Sequence, residues 1–400
     1  MKILVLNAGS SSIKYQLFAM PQQRIIARGT IERIGENDSI VQHVSLMDDS
    51  EKKWQNQEVI IDHRQGLEKV SALLLDKEYG VIEHPNEVAV VGHRVVHGGE
   101  YFREAVAITD EVQRRIEQLN TLAPLHNPHN LAGIDVASEV FSQAQQVAVF
   151  DTAYHQTLPD YAFRYPVPNE LYSKHQIRVY GMHGTSHRYI ARATAAHLNK
   201  PLSKLNLISI HLGNGCSIAA IQEGRSIDTS MGLTPLAGLM MGTRSGDIDP
   251  AIPYYLQRTA NMDLEAIDYL LNNDSGLKGI TENNDVRVIT QQYEEGDEMA
   301  RLAIKMYCYR IKKYIGAYVA VLGSVDAIVF TAGVGENSAL IRQKSCQGLD
   351  KLGIIVDGEK NAQFSSEARS IHASGSTADV LVIPTNEELS IAQQAYEVVQ

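Results

Sequence analysis

Residues 7–12, Asn-Ala-Gly-Ser-Ser-Ser, break a β-rich run that begins at Ile3 and resumes over residues 13–18. A small turn of this kind, with one glycine and three hydroxyls, can aim backbone N–H groups and the side chains of Ser10 and Ser12 at one anion. Lys14 stands just past the turn, and the Asn7 side-chain carbonyl suits a hydrated hard cation. Half a chain later the pattern returns: strand-like residues 207–210 lead into His211-Leu212-Gly213-Asn214-Gly215, and apolar residues 218–221 follow. Either hairpin alone reads as an ordinary β-turn. Two copies, each followed by more strand rather than by helix, predict a duplicated architecture that grips a phosphate chain. They argue against a Walker P-loop, which opens a helix; neither that string nor G-x-G-x-x-G occurs.

Two arginines sit where an anion could be clamped. Arg94 lies in Gly92-His93-Arg94-Val95-Val96-His97, at the end of an apolar strand, and Arg244 lies in a glycine-rich loop over residues 228–250. A guanidinium forks onto carboxylate or phosphate oxygens, although Arg244 could equally pair with Asp247 or Asp249. Asp151 ends the apolar run 147–150, where open α/β sheets place active-site groups and where turns also recruit Asp. His183 stands in a turn before a helix, as either a catalyst or an ordinary hydrogen-bonding residue. Gly333-Val334-Gly335-Glu336-Asn337 follows a buried strand and opens a helix, a place that favours a ribose or phosphate. Asp285-Val286-Arg287 could touch a nucleotide, or be an exposed ion pair. Near the C-terminus, Thr385 and Glu388 fit a capping box, which leaves Glu387 unexplained.

The histidines support a rival reading. His93/His97, His126/His129 and His183/His187, with Asp151, could assemble a metal-dependent hydrolase site. His93 and His97 copy a zincin spacing, but without its adjacent Glu and on a strand. A third reading is a nucleotide-driven binding module without carboxylate chemistry; a buried arginine clamp argues against it.

The elements that must position these groups alternate. Strand-like runs at residues 87–91, 147–150, 207–210, 327–330 and 380–383 are separated by helical periodicity at 110–119, 186–198, 298–322 and 338–352, and residues 54–79 read as strand then helix. That alternation predicts α/β layers. At 400 residues the chain suffices for two or three domains, and without a low-complexity linker they are expected to share a cleft. The net charge of −11 disfavours nucleic acid, so any anion site must be locally basic. Three scattered cysteines, no signal-like N-terminus and no spanning apolar run predict a cytoplasmic protein without a membrane partner.

Taken in order, these stretches resemble the acetate kinase family of short-chain carboxylate kinases. The resemblance is carried by Asn7-Ala-Gly-Ser-Ser-Ser-Ile-Lys14, Gly92 to Gly99, Leu122 to Pro128, Val149 to Ala153, His183-Gly-Thr-Ser-His187, His211 to Gly215, Met241 to Pro250, Gly333 to Asn337 and Thr385 to Glu388. It implies a duplicated ribonuclease-H-like fold, as in sugar kinases, actin and chaperone ATPases, and a homodimer. The implied division is residues 1–151 with 384–400 on the substrate and metal side, and 152–383 for the nucleotide. The implied metal residues are Asn7 and Glu387, for Mg²⁺ with Mn²⁺ as a substitute. ATP or ADP would meet Ser10, Ser12, Lys14, His211, Leu212, Gly213, Asn214, Gly215, Asp285, Val286, Arg287, Gly333, Val334, Gly335, Glu336 and Asn337. Arg94 falls on the substrate-carboxylate position with Val96, Leu125 and Pro235 as the acyl pocket, and Asp151, His183 and Arg244 on the catalytic positions. The implied reaction is reversible transfer of the ATP γ-phosphoryl group to acetate, with propionate or another short carboxylate as the alternative acceptor. Ala332, which is Gly in some relatives, is expected to matter little.

Overall fold

The structure, a computed structural model, describes residues 1–47, 50–124 and 126–400. They divide into two compact units, Met1–Tyr154 with Asn386–Gln400, and His155–Thr385.

The first unit is built on eight strands: β1 (Lys2–Ala8), β2 (Ser12–Ala19), β3 (Arg24–Glu32), β4 (Ser39–Met47), β5 (Ser50–Glu58), β6 (Val88–Val95), β7 (Val106–Ala107) and β8 (Gln145–Phe150), in the order β5-β4-β3-β2-β1-β6-β8-β7. β1 is central because it is apolar on both faces. Leu4 and Leu6 pack into one buried cluster with Leu67, Val70 and Ala137, from the helices His63–Leu74 and Asn127–Val140. Ile3 and Val5 pack on the opposite face with Val90, Val147, Ile391 and Ala395. A strand covered on both sides must be apolar at consecutive positions, and residues 3–6 are. At the far edge β5 reads Ser-Glu-Lys-Lys-Trp and is largely exposed; its charges blunt an otherwise pairable edge.

The second unit repeats the plan with β9 (Asn206–Leu212), β10 (Cys216–Gln222), β11 (Arg225–Thr229), β12 (Ala327–Thr331), β13 (Arg369–Ser370) and β14 (Asp379–Val382), in the order β11-β10-β9-β12-β14-β13. In each unit the first strand pairs antiparallel with its hairpin partner and parallel with the next strand: β1 with β2 and β6, β9 with β10 and β12. A second parallel pair follows, β6 with β8 and β12 with β14. Even the short antiparallel edge strand recurs, β7 on β8 and β13 on β14. This is the ribonuclease-H-like arrangement made twice.

The helices largely follow the sequence periodicity, with one break. Residues 338–352 read as a single helix, but the structure has Ala339–Cys346 and then a separate 3-10 turn, Asp350–Leu352. Gln347 leaves helical geometry and Gly348 takes a φ of +75°, which ends the helix. Residues 230–250 hold no regular element, as their irregular pattern predicted, but Asp228 and Thr229, read as part of the same loop, end β11. The three cysteines are buried and unlinked, and no helix among the described residues is long and apolar enough to cross a membrane.

The C-terminal helix, Glu387–Val399, docks where β6 has no side chain. A Cβ at Gly92 would stand 3.0 Å from Ile391 Cγ2 and 3.3 Å from Ala395 Cβ. The two γ-methyls of valine have nowhere to go without lifting that helix. Gly92→Val should therefore lower stability by about 1–3 kcal/mol in urea unfolding. An unchanged midpoint would show that the close approach does not matter.

Candidate active site

In the first unit the charged residues gather at the ends of β1, β6 and β8. Asn7 and Lys14 are cross-strand partners in the first hairpin, and the parallel register of β1 with β6 sets Leu6 against His93, so Arg94 arrives beside Asn7. Asp151 follows β8, its N–H bonded to the Val95 carbonyl at 3.0 Å. Arg94 reaches over to it: Nε and Nη2 donate to Asp151 Oδ2 at 2.9 and 2.6 Å, and Nη1 lies 3.4 Å from Asn7 Oδ1. Asp151 is fully buried, whereas the Arg94 side chain keeps 23% exposure and so still presents an edge. The Asp151 charge raises the Arg94 pKa further, so the guanidinium is never neutral.

Glu387 opens the C-terminal helix on the same group. Burial, with Asp151 and Glu388 adding repulsion against the relief from Arg94 and Lys14, pushes its carboxyl up to about 7. The surplus negative charge is what a divalent cation would neutralise, and Asn7 and Glu387 offer the hard oxygen donors it prefers. Among the described residues no three His, Cys, Asp or Glu side chains form a metal-holding set. That leaves the metallohydrolase reading without ligands. One carboxylate and one amide oxygen would suit Mg²⁺, which keeps several waters and takes one or two carboxylates plus phosphate oxygens.

The cap of this helix corrects the sequence reading. Asn386, not Thr385, is the N-cap, accepting from the Leu389 N–H at 2.9 Å. Thr385 is engaged elsewhere, its N–H on Glu336 Oε1 at 3.0 Å and its hydroxyl 2.9 Å from Ser186 Oγ. The turn 9–12 is closed by the Gly9 N–H on the Ser12 carbonyl at 2.8 Å, with Ser10 exposed. Val96 is half-buried, and Leu125 lies outside the described residues.

Two residues that the sequence did not single out hold this corner together. Asn130 accepts from the Val96 N–H at 3.1 Å and donates to the Ala8 carbonyl at 2.9 Å, and Asn127 makes a matching pair of bonds with the His97 backbone. Buried asparagines satisfying strand-end groups tie β1 to the exit of β6. Their one signal is position: polar residues three apart at the start of a helix whose next turns are apolar.

In the second unit the β9–β10 turn is closed by the Gly213 N–H on the Gly215 carbonyl at 3.0 Å. A Cβ at Gly215 would lie 3.4 Å from both Arg244 Nη1 and the His183 ring, so this glycine lets all three come together. Arg244 donates weakly to the Pro235 carbonyl at 3.4 Å and has no carboxylate partner among the described residues. Asp247 accepts from the Gly238 N–H and the Tyr314 hydroxyl, each at 2.7 Å, and Asp249 accepts from the Ala251 N–H at 2.8 Å. The alternative of an Arg244 ion pair is thus not realised. Burial without a counter-charge lowers the Arg244 pKa, the mark of a cation suited to an incoming anion.

Beside this cluster opens a cavity of about 900 Å³, lined by Gly213, Asn214, Gly242, Asn284, Asp285, Val286, Arg287, Thr290, Gly333, Val334, Asn337 and Ser338. It gathers segments far apart in sequence. Gly242 is an addition: a Cβ there would collide with the Asn214 side chain. His211, Leu212, Gly215, Gly335 and Glu336 are not among the lining residues, and Leu212 is fully buried. Asp285 caps its helix and grips the largely exposed Arg287 through Nε and Nη2 at 3.0 and 2.6 Å. Those hydrogen bonds pull the Asp285 carboxyl down to about 2.

The acetokinase profile matches residues 2–393. The chain belongs to the acetokinase family. It is 52% identical to the acetate kinase of Sulfurovum sp. (strain NBC37-1) over 400 residues, all of this chain and 99% of the relative. It is 50% identical to the acetate kinase of Oleidesulfovibrio alaskensis, over the full length of both. Among solved structures, Porphyromonas gingivalis acetate kinase superposes with a TM-score of 0.94 at 41% identity, and a propionate kinase from Francisella tularensis with 0.91 at 41%; these cover 100% and 99% of each chain. As an acetokinase-family member the chain is a carboxylate kinase, a phosphotransferase with ATP as co-substrate.

One sequence expectation fails here. Ala332 takes a φ of +63°, a left-handed backbone that glycine adopts freely and alanine does not. The methyl group is therefore not indifferent at the entrance to Gly333–Asn337. Relief of about 1–2 kcal/mol, against roughly 0.5–1 kcal/mol of added chain entropy in the unfolded state, should leave Ala332→Gly more stable by up to about 1.5 kcal/mol. A melting temperature that falls instead would contradict this.

Proposed function

We propose that this chain transfers the γ-phosphoryl group of ATP reversibly to acetate, giving acetyl phosphate and ADP. The observation that carries the acceptor is full-length identity of 50% or more with acetate kinases, and Arg94 clamped on buried Asp151 supplies the matching chemistry. Acetate is already ionised at neutral pH, so its oxygen needs no general base. Asp151 accordingly acts by holding Arg94, whose remaining N–H groups take the substrate carboxylate. Arg244 and His183 take the charge that spreads over the transferring phosphoryl oxygens in a loose transition state.

Asn7 and Glu387 would hold Mg²⁺, whose chemistry when bound is to neutralise phosphate charge. Ser10, Ser12 and Lys14 face the phosphates. His211 to Gly215, Asp285 to Arg287 and Gly333 to Asn337 hold the nucleotide, with Gly242, Thr290 and Ser338 as further lining of its cavity. The family resemblance assigns the acyl tail to Val96, Leu125 and Pro235. On this reading the first unit carries the substrate and cation groups and the second the nucleotide groups. The family resemblance supports the homodimer, and three buried, unlinked cysteines support the cytoplasmic location.

Propionate is the second acceptor, favoured by the likeness to the Francisella tularensis propionate kinase. One methylene is worth about 1–3 kcal/mol in such a pocket, so acetate should lead propionate without excluding it. An assay of ATP formation from ADP, Mg²⁺ and acetyl, propionyl or butyryl phosphate tests the reading. Activity should be highest with acetyl phosphate, and Arg244→Ala should reduce kcat by roughly 10²-fold or more. Absence of phosphoryl transfer from any acyl phosphate would refute the function, and an unchanged kcat would remove Arg244 from it.

A further inference from the structure

Inside the second unit, one face of β9 and β10 is polar where a buried sheet is ordinarily apolar. Ser209 and His211, two apart on β9, share a face, and Ser217 is the cross-strand partner of His211 on β10. The helix Gly184–His197 lays Ser186 and His187 on that face. Ser209, Ser217, Ser186 and His187 are all fully buried.

The contacts form a single file. His187 Nδ1 is 2.8 Å from Ser209 Oγ, and its Nε2 is 2.7 Å from Ser217 Oγ. Ser217 Oγ is in turn 2.9 Å from His183 Nδ1. A neutral imidazole has one N–H and one lone-pair nitrogen, and a hydroxyl has one proton to give. His187 remains neutral, because burial, reinforced by His155 and His211 nearby, holds its pKa well below the ordinary value. It therefore donates at one nitrogen and accepts at the other, and a Ser217 that accepted from both histidines would leave its own buried proton with no acceptor among these contacts.

Two orders give each of these three contacts one proton. In one, Ser209 donates to His187 Nδ1, His187 Nε2–H donates to Ser217, and Ser217 donates to His183 Nδ1. The His183 proton then sits on Nε2. In the reverse order it sits on Nδ1. A Cβ at Gly215 would stand 3.5 Å from His183 Nε2 and 3.4 Å from Arg244 Nη1, so Nε2 belongs to the group beside the unpaired guanidinium. An anion received there needs a donor, which selects the first order. We propose that Ser209, His187 and Ser217 form a buried relay that fixes His183 as the Nε2–H tautomer, aimed at the transferring phosphoryl group. His187 is then a positioning residue. The His183 ring also stacks on His211, 4.2 Å between centroids, and His211 Nδ1 is held by Ser186 Oγ at 2.9 Å, so the ring plane is fixed separately from the proton. This inference rests on the proposed placement of His183 at the phosphoryl group.

The test is nitrogen-15 NMR of histidine-labelled full-length protein, reading the His183 tautomer in the parent, Ser209→Ala, Ser209→Thr and Ser217→Ala. Ser209 does not touch His183. The parent should show the Nε2–H form, both alanine variants a mixture of tautomers, and Ser209→Thr, which keeps the hydroxyl, the parent form. Partial loss of an oriented donor should reduce kcat by about tenfold in Ser209→Ala, with KM for ATP and acetate within about twofold. An Nδ1–H form in the parent, or no tautomer change in either alanine variant, would overturn the relay. A tautomer shift with unchanged kcat would support the relay and overturn only the placement of His183 at the phosphoryl group.

Discussion

The pairing of Arg94 with Asp151 is the constraint from which the chemistry of the first unit follows. A fully buried carboxylate must be matched, and one oxygen of Asp151 takes two N–H groups of the same guanidinium. That fixes both the position and the plane of Arg94. A lone arginine side chain would sample many rotamers and pay their entropy on meeting a substrate; this one has paid it on folding. The same arrangement concentrates negative charge, since Glu387 and Glu388 start the helix that docks against β1 and β6. One guanidinium does not neutralise three carboxylates. Burial first, and then Asp151 and Glu388, raise the Glu387 pKa against the relief from Arg94 and Lys14, and a cation in the same corner would lower it.

Duplication of the fold produced two sites of opposite character. In the first unit the parallel register of β1, β6 and β8 brings charged strand-end residues together. In the second, the equivalent strand β9 carries serine and histidine on an inner face, and glycines at positions 213, 215 and 242 let a side chain or backbone approach where a Cβ would intrude. The second unit offers backbone and a cavity with Arg244 beside them, and the first offers a cluster of charges. Neither character follows from the sheet order, which the units share.

What the sequence revealed was what chemistry marks locally. Two glycine hairpins, arginines in glycine-rich surroundings and an aspartate closing an apolar run are unusual in their immediate context, and each lies at a strand end or in a loop. The asparagine bonds were not legible, because Asn127 and Asn130 on a helix look like surface residues until β1 and β6 are laid beside them. Ser209 and Ser217 were hidden for a related reason: a serine within an apolar strand has no local signature of a relay. The two errors at helix starts have different causes. Thr385 and Asn386 are both competent caps, and tertiary bonds to Glu336 and Ser186 decided between them. Ala332 is ordinary in composition and unusual only in its backbone angle.

The central claim is that Arg94, fixed by Asp151, receives the acceptor's carboxylate and not the nucleotide. Steady-state kinetics of Arg94→Lys tests it most directly, because lysine keeps the charge but loses the bidentate fork. The account predicts that KM for acetate rises about tenfold or more, the scale of one lost charge-assisted hydrogen bond, while KM for ATP stays within about twofold. An unchanged acetate KM with a weakened ATP KM would contradict it.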